Sequence, residues 1–161
     1  MSQENPAKVI PAPQGLRQKI GGRLGAIDPS AIAKAEAALK NLSSNFGQWL
    51  QEEMTKLEAA RQKVRQEGPS AENLEALYLR AHDLKGLGAT YEFPLVTRLA
   101  GSLCRLMDDR EHGSTPQMVL VDAHIDAIRA AVRDNIRTDD HPLGKALAEE
   151  LERRVSAFAQ P

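Results

Sequence analysis

Cysteine is nearly absent from this chain: Cys104 is the only one among 161 residues. An intrachain disulfide is therefore impossible, and no Cys-rich metal pattern exists. Aromatics are scarce as well, with one tryptophan, two tyrosines and three phenylalanines. Charge of one sign is missing too. A formal net charge of −1 gives no global field to draw the chain to nucleic acid or to a membrane surface. Nor does any apolar run approach the roughly 18 residues a membrane span needs. The N-terminus has no apolar core of the signal-peptide kind. A cytoplasmic protein is expected, with no nucleic-acid or membrane partner.

What remains is rich in Ala, Leu, Glu, Arg and Lys, a composition that favours helices. The length allows one domain with a real core. Residues 1–27 read as a flexible basic N-terminal tail, broken by Pro6, Pro11, Pro13, Gly15, Gly21, Gly22 and Gly25. Order is expected over 28–160. Asp28 is a candidate N-cap, followed by Pro29 at the first helical position. Ile32, Ala35, Leu39 and Leu42 then recur at helical spacing. Ser43-Ser44-Asn45 reads as a break or kink, with Asn45 and Gln48 as a capping box for a second helix. That helix carries Trp49, Leu50, Leu57 and Val64, and Gly68 ends it.

Ser70 is expected to cap the next helix, whose seam is Leu74, Leu77, Ala81, Leu84 and Gly88. A loop over Thr90 to Phe93 follows, and Pro94 opens a helix lined by Leu95, Leu99, Leu103 and Leu106. A turn from Asp108 to Ser114 precedes a helix opened by Pro116, with Met118, Val121, Ile125, Ile128, Val132 and Ile136 as its stripe. Pro142 starts a last helix bearing Leu143, Leu147, Leu151, Val155 and Phe158. No segment alternates with period two. The fold expected is all-α: an up-down antiparallel four-helix bundle with additional flanking helices.

The chemistry concentrates in Ala81-His82-Asp83-Leu84-Lys85-Gly86. On a helix, His82, Lys85 and Gly86 lie one turn apart. Neutral imidazole is a good nucleophile near physiological pH. The Lys85 ammonium can offset charge gained on phosphorylation, and Gly86 removes a side chain beside the ring. There is no Walker-type glycine loop and no acidic cluster for Mg²⁺. The chain is thus expected to accept and give phosphoryl groups without catalysing the transfer alone. His112, His124 and His141 read as structural histidines, Cys104 as a small apolar packer, and Trp49 as core or a partly exposed anchor.

His82-Asp83-Leu84-Lys85-Gly86 resembles the signature of histidine-containing phosphotransfer (HPt) domains, shuttle modules of bacterial multistep phosphorelays. The similarity continues through Leu87-Gly88-Ala89-Thr90-Tyr91-Glu92-Phe93-Pro94-Leu95-Val96-Thr97 to Leu103, and covers roughly residues 70–137. The resemblance implies a four-helix bundle with His82 exposed and phosphorylated, supported by Lys85 and Gly86. It also implies response regulator receiver domains, or the receiver of a hybrid histidine kinase, as partners of a monomer. Mg²⁺ is then expected in the partner receiver, with no cofactor bound by this chain. Two residues depart from the pattern: Leu87, where many members have a small residue, and Glu92, where many have glycine. The alternative readings are a phosphoacceptor and dimerisation module of a histidine kinase, a non-catalytic helical adaptor and, more distantly, a metal-binding bundle. Gly86 stands where the kinase helices tend to have a proline soon after the histidine.

Overall fold

Asp28 opens the first helix as a cap. Its carboxylate accepts from the backbone N–H of Ser30 at 3.0 Å and from the Ser30 hydroxyl at 2.7 Å. The structure, a computed structural model, describes residues 28–108 and 115–158. The tail expected over 1–27, and the part of the expected turn that holds His112 and Gly113, lie outside the described residues. Five helices follow among those described: α1 (Pro29–Glu67), α2 (Ala71–Leu87), α3 (Pro94–Asp108), α4 (Met118–Arg133) and α5 (Pro142–Phe158). None is long and apolar enough to cross a membrane. The chain divides into two compact units, one ending at Lys40 and one starting at Asn41.

In the first unit the apolar positions Ile32 and Leu39, which recur at helical spacing, are exposed. Leu42, just inside the second, is exposed too. Helical spacing marks an apolar face but does not supply a partner for it. Burial on α1 starts only at Leu50 and continues through Met54, Leu57, Arg61 and Val64.

The expected break at Ser43-Ser44-Asn45 is absent; α1 runs straight through it. The polar side chains there are satisfied inside the helix. Ser44 donates its hydroxyl back to the Asn41 carbonyl at 2.7 Å. Gln48 reaches forward to Glu52 at 3.2 Å instead of back to Asn45, so no capping box forms. Phe46 and Trp49 also pack with Tyr91 at ring separations of 5.7 and 5.9 Å, which ties this turn to the start of the α2–α3 loop.

From Asn41 onward the helices alternate in direction. Glu67 meets Asn73 at one end of the α1–α2 pair, and Phe46 meets Tyr91 at the other. Gly88 faces Thr97 while Lys85 faces Gly101, so α2 and α3 are antiparallel. The Leu95 N–H donates to the Arg137 carbonyl and Ser102 meets His124, so α3 and α4 are antiparallel as well. Arg61 pairs with Asp126 and Arg65 with Asp122, which sets α4 antiparallel to α1 and closes the four-helix ring. Helix α5 flanks α3 and α4. The expected bundle is observed, with one helix fewer because two expected helices are one.

Leu50, Leu57, Leu77, Leu84, Leu99, Leu103, Ile125 and Ile128 are fully buried in a single core. On α5 the buried face is Gly144, Ala148, Leu151 and Val155, not the expected Leu143 and Leu147. Gly144 explains the rotation. A β-carbon there would stand 2.9 Å from both Leu95 Cδ2 and the Thr138 carbonyl, so the small residue marks the closest approach.

His124, expected off the seam, is 0 % exposed. Its Nδ1 lies 2.7 Å from the Leu120 carbonyl, which can only accept. Nδ1 therefore carries the proton, and Nε2 accepts from the Ser102 hydroxyl at 3.0 Å. Burial pulls its pKa below the usual histidine value, partly offset by the Leu120 bond, with Arg105 lowering it further. The unfolded state then binds a proton that the folded state resists. This contribution to stability is complete above the unfolded pKa of about 6.5 and is lost as pH falls below it. Denaturant midpoints measured between pH 7.5 and 5 should fall more steeply for wild type than for His124→Gln. Parallel curves would remove His124 as the source.

Candidate functional site

Helix α2 is positioned from both ends. Ser70 caps it, accepting from the Asn73 N–H at 3.2 Å. At its end Gly88 sits against α3, where a β-carbon would meet Thr97 N and Oγ1 at 2.7 Å. The seam Leu74, Leu77, Ala81 and Leu84 is buried as expected, with Ala81 and Leu84 at 0 % exposure. Each residue turns about 100° around a helix, so a buried Ala81 swings His82 outward. His82, Lys85 and Gly86 are all exposed and share one surface. Asp83 turns away and pairs with Arg80 at 3.3 Å.

Side chains on a helix lean toward its N-terminus, over the turn before their own Cα. The His82 imidazole therefore lies toward Tyr78 and Leu79. Its ring centroid is 6.1 Å from that of Tyr78. By the same rule, a side chain at position 86 would cover His82. Glycine leaves it uncovered, and a β-carbon built at Gly86 meets nothing within 4 Å. Lys85 has a groove of its own: its Cγ, Cδ and Cε pass 3.9–4.0 Å from where a Gly101 β-carbon would stand. His82 does not line the cavities beside α1, α4 and α5, and it stands exposed on the surface.

Of the other reactive side chains, Cys104 is buried and His141 is exposed but engaged in a hydrogen bond. Cys104 is 2 % exposed, and burial pushes its thiol up to about 11, against a smaller opposing pull from Lys85. It is a protonated packer at neutral pH. His141 accepts from the Leu143 N–H at 3.2 Å through Nδ1, a cap for α5. Trp49 is half-buried in the cluster with Phe46 and Tyr91. Among the described residues, no three His, Cys, Asp or Glu side chains converge as metal ligands. Two residues at the site escaped sequence reasoning. Tyr78 was legible as the residue four before His82. Gly101 was not, because it belongs to another helix and its register against Lys85 is a tertiary fact.

An exposed histidine thus stands on a helix of an antiparallel bundle, beside an exposed lysine and a bare glycine. The family model of the Hpt domain matches residues 41–153, well over half of the chain, and the chain belongs to that family. Hpt domains serve phosphotransfer in phosphorelays and interact with receiver domains. No curated protein and no solved structure matches the chain. The match starts where the second compact unit starts, at Asn41.

The two glycines should behave oppositely. Gly86→Ala fills open space and removes a helical glycine, so it should raise stability by about 0.5–1 kcal/mol. Gly88→Ala drives a β-carbon into the Thr97 backbone and should cost about 1–3 kcal/mol. Thermal or urea melts of the two variants read the difference. Equal shifts of the same sign would contradict the assigned packing.

Proposed function

We propose that this chain is a histidine phosphotransfer protein with His82 as its phosphoacceptor. A ring nitrogen of neutral His82 attacks the phosphorus of a receiver domain's aspartyl phosphate. The N–P bond forms as the acyl P–O bond breaks, and the receiver's carboxylate leaves. The same step in reverse delivers the phosphoryl group to the aspartate of another response regulator receiver. Lys85 offsets the charge gained on the imidazole. Gly86 lets the receiver's active site close on the ring. The receiver supplies Mg²⁺ and the carboxylate, and this chain acts as a carrier, a cytoplasmic monomer with no cofactor of its own.

The observation that carries the reading is the contrast at adjacent positions. Ala81 and Leu84 are fully buried anchors, while His82, Lys85 and Gly86 face solvent. A histidine kept for packing would sit on the seam, as His124 does. One kept for meeting another protein's active site stands off it.

A receiver phosphorylated with labelled phosphate, incubated with Mg²⁺ and the full chain, should pass label to wild type. That label should be acid-labile and base-stable, as an N–P bond is. His82→Gln should take none, and Lys85→Ala should take it more slowly. Equal labelling of wild type and His82→Gln would remove His82 from the role.

A further inference from the structure

Transfer in line with a breaking P–O bond requires a ring nitrogen to be held on one line of approach. An exposed side chain otherwise samples several staggered rotamers. At His82 the two sides are unlike. Toward the helix N-terminus stands the Tyr78 ring, with planes inclined at 33° and centroids 6.1 Å apart. Tyr78 is half-buried and packs against the core, so of the two rings it is the anchored one. Toward the C-terminus, Gly86 leaves open space. The imidazole has an aromatic wall on one side and a clear approach on the other.

We propose that Tyr78 is a positioning residue for phosphoryl transfer. Its ring limits the rotamers of His82 and directs the receiver's aspartyl phosphate to the Gly86 side. The inference rests on His82 being the acceptor. The ring surface and its packed position do the work, since an aromatic contact at this spacing depends on the ring and little on its para substituent.

The test uses the full chain and a phosphorylated receiver at saturating concentration, so that the first-order transfer step is read apart from docking. Tyr78→Phe should transfer within about twofold of wild type, and Tyr78→Leu, which keeps apolar bulk without the ring, should be slower by about tenfold. Melting curves check that both stay folded, and Tyr78→Met is the substitute if Tyr78→Leu does not. Proton NMR supplies a second readout: the His82 ring resonances should carry an aromatic ring-current shift in wild type and Tyr78→Phe that vanishes in Tyr78→Leu. A folded Leu or Met variant transferring at the wild-type rate overturns the proposal. So does a Tyr78→Phe variant as slow as Tyr78→Leu, which would assign the effect to the hydroxyl. Failure of wild type to take label on His82 instead overturns the acceptor assignment on which the proposal stands.

Discussion

The approach of α2 to α3 at Gly88 is the contact on which the placement of the site depends. With no side chain at Gly88, the Thr97 amide and hydroxyl come to within 2.7 Å of where a β-carbon would stand. The Thr97 hydroxyl accepts from the Ala89 N–H at 2.8 Å, and the Phe93 N–H donates to the Gly88 carbonyl at 2.8 Å. The end of α2 is thereby locked to the start of α3. A helix is stiff enough that fixing one end and one seam fixes the azimuth of every residue along it. Leu84 and Ala81 must then point inward, His82 outward, and Lys85 across Gly101. A one-residue rotation of α2 would bury the imidazole and expose the seam.

The opposite side of the ring is closed by charge. Arg61 has a side chain only 4 % exposed, and it meets Asp126 at 2.8 Å and Glu58 at 3.1 Å. Burying an arginine is tolerated only with such partners. The network therefore fixes the register of α1 against α4 more than it adds stability. The loop beside the site shows the other kind of compromise. Glu92 has φ 64, a left-handed conformation that costs a non-glycine residue about 1–2 kcal/mol. Its carboxylate accepts from Arg137 at 2.8 Å. Both partners are about half exposed, so that pair returns at most about 1 kcal/mol. Here a non-glycine residue takes a strained backbone conformation, and a side-chain bond to Arg137 partly offsets it. Asn135, at φ 55, is a residue type that takes the same conformation with less strain.

Most of this was legible where the chemistry of one segment decides the outcome. The Ser70 cap, the α2 seam, the Gly68 stop at φ 90 and the α3 leucines all follow from local rules. The misreadings share a different cause. Ser43-Ser44-Asn45 has the atoms to cap a helix and equally the atoms to bond within one. In the fold they bond within the helix, and the distant Tyr91 packs on Phe46 and Trp49 beside them. On α5, size misled: leucines look like core, yet the closest interface selects Gly144 and Ala148. His124 was set one step off its seam because a narrow stripe was assumed. Helix α4 packs against α3 and α5 and meets α1 through Asp122 and Asp126. It buries a wide stripe that takes in Leu120, His124 and Ala127. The i, i+4 series Leu120, His124, Ile128 was the available signal. That His82, Lys85 and Gly86 share an exposed face was legible, since i, i+3 and i+4 spacing needs no tertiary knowledge. Gly101 required the fold, whereas Tyr78 stands four residues before His82 on the same helix.

A carrier of a high-energy group faces a constraint that an enzyme with its own pocket does not. Its reactive side chain must enter someone else's active site, so it needs an open surface, and it must also avoid competing chemistry on its own chain. The buried set is consistent with that division. Cys104, a stronger nucleophile when ionised, is kept protonated by burial, and His124 has both ring nitrogens engaged inside the core. His82, by contrast, is exposed. Lys85 is exposed, yet its stem rests in the groove over Gly101, which restrains a side chain otherwise costly in entropy to order. The position of the charge is set in part by packing on a second helix. The electrostatics of the site therefore depend on the same α2–α3 register that Gly88 sets.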